Sequence, residues 1–334
     1  MKLFRTFCLA PATLVLALGI PALVHAADEA AQKTAQSVAS VKVERPQSFE
    51  GISKVVIGQF SVAFFTKKVD YDGGGFLAVS NEGKAIGELS GVGPEEFQAA
   101  TDAIYADFAA QMAAGGITIE DRAGLMANPY YAKVKPYPQG SKVFTMLKKK
   151  DKADAVAYGP IALGAPANAL LQSGMFDFGM GGLNTAEYVY AKESGIPVIN
   201  VVYFVDFAGP AKSRDGGIFQ SLKITAELAV SPFGSRINIV DPKGKQGNLL
   251  LTSPISEGGE FATVTDRTSG LSKGIRTATI VGGAFFGGFG AGTLSKRFDF
   301  TVNDPTGFKN SAIAAGVRAN TAFIGQMAQR KAGL

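Results

Sequence analysis

A chain can attack a carbonyl, relay protons or hold a soft metal only with the side chains it carries, and here the supply is narrow. Cys8 and His25 are the only cysteine and the only histidine in 334 residues, and tryptophan is absent. Both lie in the first 26 residues, which have the make-up of a secretory signal peptide. Lys2 and Arg5 form a basic start, Leu9 to Val24 is apolar but for interruptions such as Pro11 and Pro21, and Val24-His25-Ala26 supplies the small residues of a cleavage site. With residues 1–26 removed, neither thiol nor imidazole remains. That excludes disulfides, thiol redox work, His-activated Ser or Cys nucleophiles, haem on His or Cys, and zinc on N or S ligands. The expectation is a protein with no catalytic residue, no metal and no cofactor.

The remaining motifs lack their chemical partners. Gly270-Leu271-Ser272-Lys273-Gly274 has the outline of a nucleophile elbow, but such a serine needs a base and no histidine is left to serve. Asp70-Tyr71-Asp72 before Gly73-Gly74-Gly75 offers two carboxylates, without the third acidic position and distal Glu of a calcium loop. Lys148, Lys149, Lys150 and Lys152 read as a solvated loop. An enzyme using only Asp, Glu, Lys and Tyr would need two carboxyls roughly 5 to 9.5 Å apart in one cleft.

One segment stands out. Arg276 and Lys296 bracket 19 uncharged residues, within which Gly283, Gly287 and Gly288 alternate with Phe285, Phe286 and Phe289. Small residues four apart let backbones approach closely, as in membrane-associating helices, and the length borders on a membrane span. The many glycines disfavour a helix. Structural hairpin, oligomer or membrane contact, and transmembrane element all stay open for 277–295, and Gly283, Phe285, Phe286, Gly287, Gly288 and Phe289 are the candidate contact residues.

These features have to be held by regular elements. With 46% hydrophobic and 18% charged residues and a net charge of +5, the chain is not a disordered one. Residues 27–51 are polar and Ala-rich and read as a flexible arm, with order beginning near Ile52. Lys54 to Phe65 is a buried-strand pattern, and Lys67 to Gly75 a loop. Pro94 with Glu95 and Glu96 opens a helix whose Phe97, Thr101, Ile104, Phe108 and Met112 line one face, ended by Gly115 and Gly116. Ala153 to Leu163 and Ile196 to Phe207 read as strands, and Asn184 with Glu187 as a capping pattern. Hairpin strands follow at Leu222 to Val230, Arg236 to Val240, Leu249 to Leu251 and Phe298 to Val302. A terminal helix after Asp304-Pro305 carries Phe308, Ile313, Val317, Asn320, Ile324 and Met327 at helical spacing.

The predicted fold is therefore α+β: a mixed β-sheet packed with helices, with a C-terminal β-hairpin-rich part and a terminal helix. An α/β domain is expected over 52–210 and the hairpin-rich part over 211–334, with a weak boundary near Gly209-Pro210.

The front half resembles the periplasmic α/β domain shared by the curli-secretion lipoprotein, the activators of penicillin-binding proteins and the N-terminal domain of the Tol translocation protein. The resemblance rests on the strand 54–65, the helix end and strand DFAAQMAAGGITIEDR (107–122), and ADAVAYGPIAL (153–163). It implies a binding and assembly module without catalytic residues to transfer. A lipidated cysteine, present in the lipoprotein members, has no counterpart here. The expected function is non-enzymatic and periplasmic, in cell-envelope assembly or secretion through protein–protein contacts, with possible outer-membrane association. The expected partner is an envelope protein or lipid and not nucleic acid, with membrane contact and homo-oligomer formation open. One rival is a periplasmic carrier for an apolar ligand or lipid, since 24 Phe and 9 Tyr could line a cavity. A second is a membrane-inserting oligomeric subunit that uses 277–295.

Overall fold

The computed structural model describes residues 40–71, 84–131, 134, 138–145, 153–164, 182–207, 226–258, 261–267, 275–276 and 295–331. The first half supplies β1 (Val41–Glu44), β2 (Lys54–Tyr71), β3 (Lys84–Ser90), α1 (Pro94–Ala114), β4 (Thr118–Glu120), α2 (Ala123–Met126), β5 (Ser141–Thr145) and β6 (Ala153–Tyr158). The second supplies α3 (Gly182–Ser194), β7 (Val198–Asp206), β8 (Glu227–Val230), β9 (Arg236–Val240), β10 (Gln246–Leu251) and β11 (Ile255–Gly258). It ends with β12 (Ala262–Asp266), β13 (Ile275–Arg276), β14 (Ser295–Val302) and α4 (Pro305–Lys331). The described strands form one mixed sheet with helices on both faces, the α+β architecture that the pattern of elements implied.

The sheet is organised by β2, which is long enough to serve two sets of neighbours. Val56 to Phe64 pair in parallel with β7, which continues through β9 and β10 to β1. At Lys67 the neighbour changes. Lys67 to Tyr71 pair with β3, which continues through β14 and β12 to β13. The sheet thus forks along β2 into a proximal branch and a distal branch. A register irregularity between Phe65 and Lys67 marks the fork, as expected where an extra residue re-aims a strand. On the opposite edge β2 carries β4 and then β6, to which β5 is added. Strands from either side of residue 210 pair directly, since β7 meets both β8 and β9.

Two helices cover one face. α1 starts as its residues require: Glu96 Oε2 accepts the Gly93 amide at 3.0 Å and Pro94 occupies the first turn. Its Phe97, Tyr105 and Phe108 pack on Phe64 and Phe60 of β2. α4 is capped by Asp304, whose Oδ1 accepts the Gly307 amide at 2.9 Å. Its last turn returns to the end of α1, where Lys331 Nζ donates to the Gly116 carbonyl at 2.8 Å. On the other face Val56, Val198 and Val240 meet Leu125 of α2 and Ala186 and Ala191 of α3. Helices therefore sandwich the proximal branch.

Two local expectations change. Val41–Glu44, inside the segment expected to be an arm, is an edge strand antiparallel to β10, and Phe49 is fully buried. The segment is polar because β1 borders solvent, not because it lacks partners. Lys67 to Tyr71, expected as loop, is the continuation of β2. Its charges are accommodated across the fork, where Lys67 stands opposite Glu88 and Lys68 reaches Asp206.

Candidate functional site

The six residues singled out in the glycine–phenylalanine stretch, Gly283, Phe285, Phe286, Gly287, Gly288 and Phe289, lie outside the described residues. The Gly270–Gly274 motif, Gly73 to Gly75 and Lys148 to Lys152 do too. The strands around them are described, and their directions are informative. β3 and β14 are parallel, and β12 is antiparallel to both β14 and β13. It follows that the end of β2, the starts of β3, β13 and β14, and the end of β12 all lie at one end of the distal branch. Along β14, Phe298, Phe300 and Val302 are buried while Arg297 and Thr301 are exposed. Phe300 packs edge-on against Phe207 at 4.8 Å, which ties this branch to the end of β7.

A second site lies on the face of the proximal branch under α3. A β-bulge between Ile57 and Gln59 shifts the register of β2 against β7. The register then aligns a row of polar side chains across five strands: Gln59, Asn200, Asn238, Asn248 and Glu44. Asn238 Nδ2 donates to Asn248 Oδ1 at 3.0 Å. Asn200 Nδ2 donates to Oε2 of Glu187 on α3 at 2.9 Å. Gln59 Nε2 donates to the buried Ser61 hydroxyl at 2.8 Å.

Gly58 is required at the bulge by space. A Cβ there would sit 2.6 Å from Asn200 Oδ1, 2.7 Å from Glu187 Oε1 and 2.9 Å from Val198 Cγ1. The Gly58 carbonyl accepts from Arg122 Nη2 at 3.0 Å, and Arg122 Nη1 reaches the Leu163 carbonyl at 2.8 Å. Nη2 also donates to the Tyr131 hydroxyl, with the guanidinium carbon 5.9 Å from that ring centroid. Among the described residues, four buried atoms of this cluster find no hydrogen-bond partner: Gln59 Oε1, Glu187 Oε1, Asn200 Oδ1 and Arg122 Nε. So many orphaned groups in one place are uncommon in a folded core. Burial pushes the Glu187 carboxyl up to about 8, against the opposing pull of the Asn200 hydrogen bond and the Arg122 charge. At neutral pH Glu187 is therefore mainly the uncharged acid.

Glu187 was expected to cap its helix. α3 instead begins at Gly182, which places Glu187 beyond the first turn and turns its side chain onto the sheet. The signal that could have located this site is Asn200, an amide inside the otherwise apolar run of β7.

Among the described residues, no group of three or more His, Cys, Asp or Glu could hold a metal ion. No helix of the described residues is long and apolar enough to cross a membrane. Comparisons with protein-family models, with curated proteins and with solved structures return no match.

Proposed function

We propose that the protein is exported by its cleavable leader to the periplasm and acts there without enzymatic chemistry, in cell-envelope assembly or secretion, through protein–protein contacts. The observation that carries this reading is the distal branch of the sheet. Its strand ends bring the borders of 72–83 and 268–274, and the start of β14 after 277–294, to one end of the molecule. The sequences that leave or enter the sheet at this end are Gly-rich. Edge strands β1, β5, β11 and β13, each paired on one side among the described strands, add backbone groups that a partner strand could meet. The absence of Cys and His beyond residue 26 accords with assembly rather than catalysis.

The carrier alternative needs aromatic side chains around a ligand. Here Phe60, Phe64, Phe97, Phe108, Phe308 and Phe323 pack on one another and on tyrosines. The membrane-inserting alternative is favoured by the uncharged stretch between Arg276 and Lys296, which enters the distal branch through β14.

The test compares the purified protein lacking residues 1–26 with a variant whose residues 281–292 are a polar linker. Light scattering with cross-linking reads self-association and envelope complexes, and flotation with liposomes reads membrane contact. The proposal expects complexes that the linker variant, folded by circular dichroism, no longer forms. Flotation lost in the variant would put the membrane-inserting subunit first. A monomer that neither cross-links nor floats refutes the contact reading.

A further inference from the structure

α3 is fastened to the sheet through one polar pair set in an apolar seam. Glu187 is fully buried, and Asn200 is 1% exposed. One arm of the pair is made, Asn200 Nδ2 to Glu187 Oε2 at 2.9 Å. The other arm consists of two acceptor oxygens, Glu187 Oε1 and Asn200 Oδ1, which lie 2.7 and 2.6 Å from the same point over Gly58. An ionised Glu187 leaves both oxygens without a donor. A proton on Oε1 changes this, because the hydroxyl donates to Oδ1 while the amide donates to Oε2, closing a cyclic acid–amide pair.

Among the described residues no neighbouring group donates a hydrogen bond to either oxygen, the unpartnered Arg122 Nε included. From β2 the pair meets Gly58 and Gln59, from β7 Val198, and from β9 Asn238, whose amide nitrogen is taken up by Asn248 and the Gly247 carbonyl, all uncharged. Just before α2, Arg122 is the charged group that acts on Glu187, and the adjoining apolar seam also carries Tyr131 and, on α3 itself, Tyr190. Arg122 spends its Nη donors on Leu163, Gly58 and Tyr131 and forms no salt bridge with Glu187.

We propose that α3 is a proton-dependent latch: the protonated Glu187–Asn200 pair holds it on the proximal branch, and ionisation of Glu187 releases it and uncovers Val56, Val198 and Val240. Burial raises the carboxyl of the docked helix to about 8, whereas the ordinary value is 4.5. Between those values the docked state carries a proton that the released state lacks. Each rise of one pH unit there favours release about tenfold, and above about pH 8 the effect levels off. The latch is tight in acid and loose in mild alkali, whatever partner the distal branch takes.

Hydrogen exchange on the full purified chain, corrected for the intrinsic pH dependence of exchange, reads this directly. Protection of amides 186–194 is expected to fall about tenfold per unit from pH 5 to 8 and then flatten, and at each pH to lie below the protection of α1, which opens only with the whole chain. Glu187→Gln supplies an N–H where the acid had its O–H, so its α3 protection is expected to be independent of pH. A level native profile, or an equal slope in Glu187→Gln, overturns the latch. Isotope-edited infrared spectra give a second reading that needs no variant to fold. A protonated glutamic acid band present at pH 7 and lost by pH 9.5 supports the latch, and its absence at pH 7 refutes it.

Discussion

Lys68 and Asp206 close a 2.6 Å salt bridge at the fork of the sheet, joining the part of β2 that belongs to the distal branch with the last residue of β7. The two side chains are only 12% and 9% exposed. Removing one partner of a largely buried pair costs up to about 3–5 kcal/mol. Lys68→Met should therefore lower the urea midpoint strongly. It should also deprotect the β3 amides before those of β9, because the damage falls on the distal branch. A loss below about 1 kcal/mol would class the pair with ordinary surface bridges and would remove it as the fastening of the fork.

Asn320 is the corresponding fastening on the other face. It accepts from the Tyr203 hydroxyl at 2.9 Å and donates to the Ile104 carbonyl at 3.0 Å and to Asp107 Oδ2 at 2.7 Å. One side chain of α4 thus bonds β7 and α1 together. Asn320→Leu would leave the buried Tyr203 hydroxyl without its acceptor, at a cost of about 1–3 kcal/mol, whereas Asp107 Oδ2 keeps the Gln111 amide. Tyr203→Phe removes a single bond and should cost about 1 kcal/mol. In a double-mutant cycle by urea unfolding, the pair should couple by more than 0.5 kcal/mol. Additive losses would mean that the bond contributes nothing measurable.

Glu187 also makes the stability of the whole chain depend on pH, with a definite sign. Its folded value, about 8, lies above the ordinary 4.5. The folded state thus holds the extra proton, and stability falls as pH rises between the two. The contribution is fully present below about pH 4.5 and is lost by the time pH passes about 8. The loss is on the order of a few kcal/mol. Denaturation midpoints measured at pH 5.5 and 8.5 should differ by more in the native chain than in Glu187→Gln. Equal differences would assign the dependence to other groups.

What could be read from the sequence follows from how local the deciding interactions are. α1 was legible because Pro94, Glu96 and Gly115–Gly116 settle its ends within the helix itself, and its one-sided Phe97, Ile104, Phe108 and Met112 mark the core face. β9 was legible because Asp241 builds the turn after it, accepting the amides of Lys243 and Lys245. β1 and the last residues of β2 were not, because their partners, β10 and Asp206, are far away in sequence. The buried face of α4 was only half legible. Ile313 and Val317 are half-buried, and much of the contact is made by Ala312, Ala315, Gly316 and Ala319. Small residues carry little periodic signal but allow two helices to approach closely. Glu187 was misread for a related reason, since its role depends on Asn200 and on a bulge that no local pattern announces.

The close approach of α4 to α1 can be tested at its tightest point, Gly316 over Ile104. A Cβ on residue 316 would lie 2.5 Å from both Cδ1 and Cγ1 of Ile104. In an exposed helix Gly→Ala gains about 1 kcal/mol of propensity. Here that gain is opposed by overpacking of about 1–3 kcal/mol, or by a shift of α4 that would disturb Asn320 one turn on. Gly316→Ala is expected to be destabilising by about 1–2 kcal/mol net. Ile104→Ala alone should cost about 2–5 kcal/mol through the cavity it leaves. The double variant should lose at least 1 kcal/mol less than the sum of the two, because the new methyl enters the space that the isoleucine vacates. A stabilising Gly316→Ala, or strict additivity in urea unfolding, would mean that the two helices are not packed against each other at this glycine.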